Sequence, residues 1–91
     1  MTVYVDQLLM HPRTSAWPYG QACHLFADSE EELRAFAKGL GLRQGWFQPH
    51  DKLPHYDLTA RRRELALKAG AIEVDSRFMH HKMREKMKAR V

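Results

Sequence analysis

Apolar residues recur at every second position in some stretches of this chain and at every third or fourth position in others. Residues 2–6 alternate and are rich in β-branched side chains, which predicts a first strand. Residues 21–27 alternate as well, so that Cys23 and Leu25 share one face of a second predicted strand and His24 lies on the other face. Strands with two distinct faces are therefore expected.

Helical spacing follows directly after the second strand. Ser29 is a predicted N-cap with Glu32 three residues later, the pattern of a capping box. An apolar stripe then recurs at helical intervals, made by Leu33, Phe36, Ala37 and Leu40. Gly41 is typical of a helix end, so the pattern predicts a helix over residues 30–40.

The second half of the chain repeats the order of strand, helix and strand. Thr59 is the predicted N-cap of a helix over residues 60–69, which Gly70 ends. Short extended segments are expected on either side, at residues 46–48, 55–58 and 71–75. Residues 79–91 favour helix and carry a stripe of methionines, Met79, Met83 and Met87.

These elements predict an α/β (α+β) fold, a small mixed sheet of about four short strands packed with two helices, plus a C-terminal basic helix. Residues 1–77 would form a single small domain and residues 78–91 a basic helical tail. Residues 10–20 are expected to be a loop, because they contain two prolines, a glycine and small polar residues. Trp17 and Tyr19 in this loop would either fold over the sheet as a lid or cap an open edge of the core.

Composition narrows the class of protein. The chain has 91 residues, which is the size of one domain, and no apolar run long enough to span a membrane. Its N-terminus lacks the pattern of a secretory signal, so a cytoplasmic location is expected. A single cysteine, Cys23, excludes an internal disulfide, and its predicted place inside a strand makes it a poor nucleophile.

The formal net charge of +4 is concentrated in two places. One is the C-terminal segment, where Glu85 is the one acid among five bases, Lys82, Arg84, Lys86, Lys88 and Arg90. The other is the run of arginines at positions 61–63. Such clusters can attract nucleic acid, phosphates or an acidic partner, although a solvated surface is the more frequent role. His80 and His81 are expected to be solvated as well.

Histidines and aspartates supply the first candidate site, which consists of Asp6, His24, His55 and Asp57. Imidazole and carboxylate groups can bind a divalent metal or act as a general acid and base. On an extended chain His55 and Asp57 would point to the same side. The structural alternatives are that Asp57 caps or orients the start of the following helix, that His55 bonds to a loop carbonyl and that His24 is a core histidine with its ring nitrogens satisfied.

Two further groups of residues suggest a ligand. The N-terminus of the helix after Thr59, together with the arginines at 61–63, could bind an anion, although exposed arginines on a capped helix explain them as well. Five aromatic residues could form the wall of a pocket for a base or a sugar, or simply belong to the core: Trp17, Tyr19, Trp46, Phe47 and Tyr56.

Several short motifs resemble one uncharacterised family, a domain-of-unknown-function family of small bacterial and bacteriophage proteins. The most specific are Trp46-Phe47-Gln48 and His55-Tyr56-Asp57-Leu58, and Cys23-His24-Leu25 adds to them. The resemblance covers residues 2–75 and leaves the basic tail outside. It implies one small cytoplasmic domain with a site that includes His55, Tyr56 and Asp57, and it implies no activity or cofactor.

The leading functional hypothesis is a cytoplasmic protein that binds a small polar or phosphate-bearing, nucleotide-like ligand. Its pocket would be built from Asp6, His24, Trp46, Gln48, His55, Tyr56 and Asp57. The first alternative is a small metal-assisted hydrolase that uses His24, His55 and Asp57 as ligands or catalytic groups. The second is an interaction module for protein or nucleic acid, acting through the methionine-striped tail, which could also join copies of the chain.

Overall fold

A mixed sheet packed with three helices makes up the described part of the chain, which covers residues 2–49 and 53–89 of the computed structural model. The predicted α+β class is confirmed, although the sheet has six strands in these residues and not about four. The strands are β1 (Val3–Val5), β2 (Leu9–Met10), β3 (Gln21–Ala27), β4 (Phe47–Gln48), β5 (His55–Leu58) and β6 (Ile72–Glu73). The helices are α1 (Glu30–Gly39), α2 (Ala60–Lys68) and α3 (Ser76–Ala89), with a 3₁₀ turn at Gln44–Trp46.

The longest strand, β3, organises the sheet. The order is β4-β5-β3-β1-β6, and β2 also pairs with β3. All pairs are antiparallel except β1 with β6, which is parallel. The register of β3 against β5 places His24 opposite Asp57 and Leu25 opposite Tyr56. Successive residues of a strand point to opposite faces of the sheet. This register therefore determines, for each side chain of β3 and β5, on which of the two faces it lies.

One face of the sheet forms the main core with α1 and α2. Alternate residues of β3 lie there, and Tyr56 and Leu58 of β5 join them. The helices contribute the buried side chains of Leu33 and Ala37 from α1 and Ala66 from α2. The apolar face of the strands therefore packs against the apolar stripe of α1, as the sequence predicts.

The opposite face is divided between a second cluster and the candidate site. Its buried cluster consists of Tyr4, Phe26, Leu53 and Met79, with Val74 and Phe78 packed against it. The start of α3 is fixed there by Lys82, whose Nζ lies 2.9 Å from Asp28 Oδ1. The hydroxyl of Tyr4 donates to the same carboxylate at 3.1 Å. The rest of this face carries His24, His55 and Asp57.

The predicted helix caps are found, with one difference. Ser29 Oγ accepts from the N–H of Glu32, and Thr59 Oγ1 accepts from the N–H of Arg62. The second bond of a capping box is replaced, because Glu32 Oε2 accepts from the N–H of Thr2 at 3.0 Å and so ties α1 to β1. Gly41 has a φ of +77°, as the predicted end of α1 requires.

The C-terminal helix begins earlier than its sequence pattern predicts. It starts at Ser76 because Asp75 Oδ1 accepts from the N–H of Phe78, which is an N-cap. The methionine stripe is described only at Met79, which is buried against the sheet. The division into a domain over residues 1–77 and a tail over 78–91 stays a prediction. No helix in the ranges 2–49 and 53–89 is both long and apolar enough to cross a membrane.

The second cluster depends most on Phe26, which has no exposed surface and is the largest of the fully buried side chains. We expect Phe26→Ala to lower the free energy of unfolding by about 3–5 kcal/mol, because it leaves a cavity between the sheet and α3. Urea denaturation followed by circular dichroism measures this loss. Leu9→Ala, at an exposed position of β2, should change stability by less than about 0.5 kcal/mol. Equal effects of the two substitutions would contradict the packing of α3 on the sheet.

Candidate functional site

Three of the predicted site residues converge on the face of the sheet opposite the main core. His24 of β3 lies directly across from Asp57 of β5, and His55 lies two residues before Asp57 on the same strand. Asp57 Oδ1 is 3.9 Å from His24 Nε2 and 3.6 Å from His55 Nε2. The two imidazole rings meet edge to face, with centroids 4.9 Å apart. One potential ligand atom from each residue lies within 4.8 Å of the other two.

Asp6 holds His24 in place from the end of β1. Its Oδ2 lies 2.7 Å from His24 Nδ1, and its Oδ1 accepts from the backbone N–H of His24 at 2.6 Å. The aspartate is only 3 % exposed, so both bonds compensate a carboxylate that is largely removed from water. The carboxylate therefore fixes the orientation of the ring and directs His24 Nε2 toward Asp57.

His55 is oriented by a backbone carbonyl. Its Nδ1 lies 3.0 Å from the oxygen of Leu53. A carbonyl oxygen only accepts, so Nδ1 carries the proton and Nε2 carries the lone pair in the neutral ring. In metalloproteins the ligating histidines are oriented in this way by a carboxylate or a carbonyl on the second ring nitrogen. Both histidines of the cluster have such a partner.

The electrostatics of His24 follow from the same contacts. The pKa of His24 is raised above its ordinary value, first by the hydrogen bond to Asp6 and then by the charges of Asp6 and Asp57. Partial burial opposes this effect but does not outweigh it. The site therefore favours a positive charge next to Asp57, which is either a proton on His24 or a bound cation.

The separations between the three ligand atoms suit a transition-metal ion. Ligand atoms about 2.1 Å from a tetrahedral metal are roughly 3.4 Å apart, so the three side chains would have to move inward from the observed separations of up to 4.8 Å. Two imidazoles and a carboxylate match the preferences of zinc and similar ions. His24 and Asp57 are each 36 % exposed at the side chain, so a fourth position is accessible from solvent.

The structural alternatives have separate outcomes. Thr59 Oγ1 caps α2, so the expectation that Asp57 performs this role is wrong. The expectation that His55 bonds to a loop carbonyl is confirmed, and this bond is compatible with metal binding through Nε2. His24 is partly exposed and bonded to Asp6, so it is not a core histidine.

Tyr56 is the predicted site residue that the structure does not bring to this site. Its neighbours His55 and Asp57 face the cluster, and alternation along β5 therefore turns Tyr56 into the main core, where it is 2 % exposed. Tyr56 packs against Phe47, with ring centroids 5.4 Å apart. These two members of the aromatic group belong to the core.

The other aromatic residues border a groove that reaches Asp57, here called the aromatic groove. It has a volume of about 600 Å³. Its lining includes Trp17, Tyr19, Trp46, Gln48 and Asp57. The indole N–H of Trp17 donates to the carbonyl of Gln21 at 2.9 Å, which holds the arm formed by residues 11–20 beside the sheet. Trp17 thus forms a wall of the groove, which neither the lid nor the core-edge expectation describes.

Arginines complete the groove, and the sequence pattern indicated them only in part. The guanidinium carbons of Arg62 and Arg43 lie 4.7 and 5.6 Å from the ring centroid of Trp46. Arg63 is directed elsewhere, because it donates to the carbonyl of Asp6 at 2.9 Å and pairs with Glu73 at 3.3 Å. The arginine run is therefore divided between the groove and the scaffold. Arg43 was missed because it is distant in sequence from the run at 61–63.

Cys23, His80 and His81 supply no candidate nucleophile or ligand to this site. Cys23 is buried in the main core, and this burial raises the pKa of its thiol to about 12, which removes the thiolate at neutral pH. His80 and His81 are exposed on α3, and His81 Nε2 lies 3.1 Å from Glu85. The predictions for these residues agree with the structure.

Comparison with known proteins identifies a family without an assigned activity. A family described as "Protein of unknown function (DUF4031)" matches residues 3–86. Searches of curated proteins and of solved structures returned no significant match. The matched range runs from β1 into α3, and it includes His24, His55 and Asp57 and every residue that lines the aromatic groove. The chain therefore belongs to the DUF4031 family of proteins of unknown function.

Proposed function

We propose that this protein is a metal-dependent hydrolase in which His24, His55 and Asp57 bind a divalent transition-metal ion. The convergence of one ring nitrogen from each histidine and one carboxylate oxygen within 4.8 Å carries the proposal, and Nε2 of the His24 and His55 rings lies 3.9 and 3.6 Å from Asp57 Oδ1. Asp6 and the Leu53 carbonyl support it, because they fix both rings with Nε2 turned to the cluster. Three protein ligands and one accessible position are typical of catalytic zinc sites.

The chemistry follows from that coordination. A metal ion held by three ligands lowers the pKa of a bound water and supplies a hydroxide nucleophile at neutral pH. Asp57 and the two histidines would hold the ion, and Asp6 would keep His24 in the neutral tautomer that can ligate through Nε2. Such an ion would supply hydroxide for ester hydrolysis: a bond would form from the hydroxide oxygen to the electrophilic atom of the ester, the bond to the leaving-group oxygen would break with its electron pair, and the leaving group would take up a proton from water.

We further propose that the substrate is phosphate-bearing. Arg43 and Arg62 lie over Trp46 at the rim of the aromatic groove, and the same groove is lined by Asp57. Guanidinium groups recognise phosphate oxygens through paired hydrogen bonds. A phosphate held between these arginines and Asp57 would lie next to the metal. This combines the ligand and hydrolase hypotheses in one site.

An interaction role for the C-terminal helix is supported by fewer contacts. Met79 is buried against Phe26 and Tyr4 and is used within the chain, while the side chains of Met83 and Met87 lie outside the described part of the structure. Nucleic-acid binding or self-association through this helix therefore stays a prediction.

Zinc binding tests the proposed ligands directly. We expect the wild-type protein to bind one zinc ion, and His55→Ala or Asp57→Ala to weaken binding by more than about 100-fold, because each removes a ligand atom. Competition with a chromophoric chelator measures the affinity. His81→Ala is the matched control, since His81 also lies beside a carboxylate but on exposed α3.

Hydrolysis is measured on the same set of proteins. We expect zinc-dependent cleavage of bis(p-nitrophenyl) phosphate that EDTA removes, that His55→Ala lacks and that His81→Ala retains. Equal zinc affinity in His55→Ala and His81→Ala would refute the ligand set. Binding without cleavage of any phosphate ester would refute the hydrolase proposal and leave only a metal site.

Asp6 provides a separate prediction, because it touches His24 and is not among the proposed ligands. Asp6→Asn keeps the size of the side chain but removes the negative charge on the far side of the imidazole. We expect zinc affinity to fall by about 10–100-fold, the usual effect of losing an outer carboxylate partner. A thermal melt without metal checks that the variant is folded. Unchanged zinc affinity in a folded variant would show that Asp6 serves the fold alone.

Raising the pH should lower the contribution of His24 to the stability of the metal-free protein and should raise the affinity for zinc. The folded-state pKa of His24 is raised, so its proton stabilises the metal-free fold below the unfolded pKa of about 6.5, and this contribution is lost as pH rises through the folded pKa. Zinc affinity should instead fall as pH decreases, because protons compete for His24 Nε2. Thermal melts of wild type and His24→Ala between about pH 5.5 and 8.5, with and without zinc, measure both trends. If metal-free wild type became more stable relative to His24→Ala as the pH rose, the raised pKa of His24 would be contradicted.

A further inference from the structure

A second cavity extends the aromatic groove along the first turn of α2. It has a volume of about 620 Å³ and is lined by Tyr19, Gln21, Thr59, Ala60, Arg61, Arg62 and Leu65. Three of these residues, Tyr19, Thr59 and Arg62, also line the aromatic groove. The two cavities are therefore neighbours with shared walls. Together they form one path from Asp57 past Arg62 to Arg61, here called the extended groove.

The aromatic walls of this path have exposed surface. Tyr19 is 57 % exposed and Trp46 is 36 % exposed, and neither belongs to a core cluster. Trp17 meets Tyr19 edge to face, with centroids 5.1 Å apart, and its indole N–H is bonded to the Gln21 carbonyl. Flat rings that are held in place and open to solvent are suitable surfaces for stacking nucleobases.

The charged residues that line the path are positive, except for Asp57 at the end next to the two histidines. Arg43, Arg61 and Arg62 line it, and Asp57 is the one carboxylate among its lining residues in the described ranges. A path that combines arginines with exposed aromatic rings matches a ligand with regularly spaced phosphates and unpaired bases. The negative charge of Asp57 lies where a metal ion would offset it.

We propose that the extended groove binds single-stranded nucleic acid, and that this strand is the phosphate-bearing substrate presented to the metal-binding cluster. The inference rests on the proposed function, because it names the substrate of the same site. Two adjoining cavities, of about 620 and 600 Å³, provide more room than a mononucleotide needs. A duplex is disfavoured because its bases are stacked on each other and cannot lie against Trp46, Trp17 or Tyr19. No residue of the basic helix α3 is among the described residues that line the extended groove, so this binding surface differs from the one predicted for the C-terminal segment.

Fluorescence anisotropy of a labelled single strand of about ten nucleotides, in low salt with EDTA, tests this groove without metal. We expect the single strand to bind more tightly than the same sequence as a duplex and more tightly than a mononucleotide. Trp46→Ala should weaken binding about 5- to 100-fold, the loss expected for one stacked base. Arg62→Ala should reduce the slope of log affinity against log salt by about 0.7, the value for one phosphate contact.

Arg34→Ala is the matched control for charge. Its guanidinium also lies over an aromatic ring, 4.3 Å from the centroid of Phe47, but Arg34 does not line the extended groove. We expect nearly unchanged affinity for this variant. Equal losses in Arg34→Ala and Arg62→Ala would show that net charge alone attracts the strand. That result would overturn the inference, as would mononucleotide binding as tight as strand binding or the absence of strand binding at low salt.

The inference and the proposed function can fail separately. Strand binding is measured with the metal removed, and zinc binding is measured with no nucleic acid present. Zinc binding without strand binding would overturn the substrate assignment and leave the metal site intact. Strand binding without zinc binding would leave a nucleic-acid groove and overturn both the hydrolase and the claim that the strand is its substrate.

Discussion

The hydrogen bonds of Asp6 connect the fold to the candidate site. Its carboxylate bonds to the backbone N–H and the ring of His24, and its carbonyl accepts from Arg63 of α2. One residue at the end of β1 thus joins β3, the second helix and the imidazole of the cluster. A buried carboxylate is stabilising only when such partners are present, so the fold and the orientation of His24 depend on each other.

The sheet carries its main core on one face, and on the other face it carries the candidate site beside a second buried cluster. Alternate residues of β3 and β5 fill the main core, and the residues between them remain for other uses. On the second face, α3 covers Tyr4 and Phe26, while His24, His55 and Asp57 lie beyond this cluster. Strands β3 and β5 carry the three side chains of the candidate site, and the arm at residues 11–20 and the turn at Gln44–Trp46 line the groove. Sites built on strands keep their geometry more closely than sites on loops.

Local patterns were enough to predict both main helices, most of the strands and the shared side of two of the three cluster residues, His55 and Asp57. The strand at residues 21–27, both helix caps and the shared side of His55 and Asp57 follow from period and capping rules that depend on neighbouring residues. The same rule of alternation also places Tyr56 on the other face, so its assignment to the site could have been avoided. Asp75 before Ser76 was likewise a readable N-cap for α3.

The remaining features depend on contacts between distant parts of the chain. His24 meets Asp57 because of the register between β3 and β5, which packing over the whole sheet determines. The two-residue strand β2 is too short to leave a pattern, and it forms because it pairs with β3. Arg62 and Arg43 meet at Trp46 only after α2 and the 3₁₀ turn are in place. No spacing along the sequence indicates these contacts between distant residues.

The central claim is that two histidines and one aspartate of this sheet bind a single metal ion. X-ray absorption spectroscopy of the zinc-loaded protein tests it most directly, because it reports the number and type of atoms bound to the metal. A site formed by His24, His55 and Asp57 would give a nitrogen and oxygen shell at about 2.0–2.1 Å with the multiple-scattering signature of two imidazoles and no sulfur. A shell without imidazole scattering, or one unchanged by His24→Ala, would contradict it.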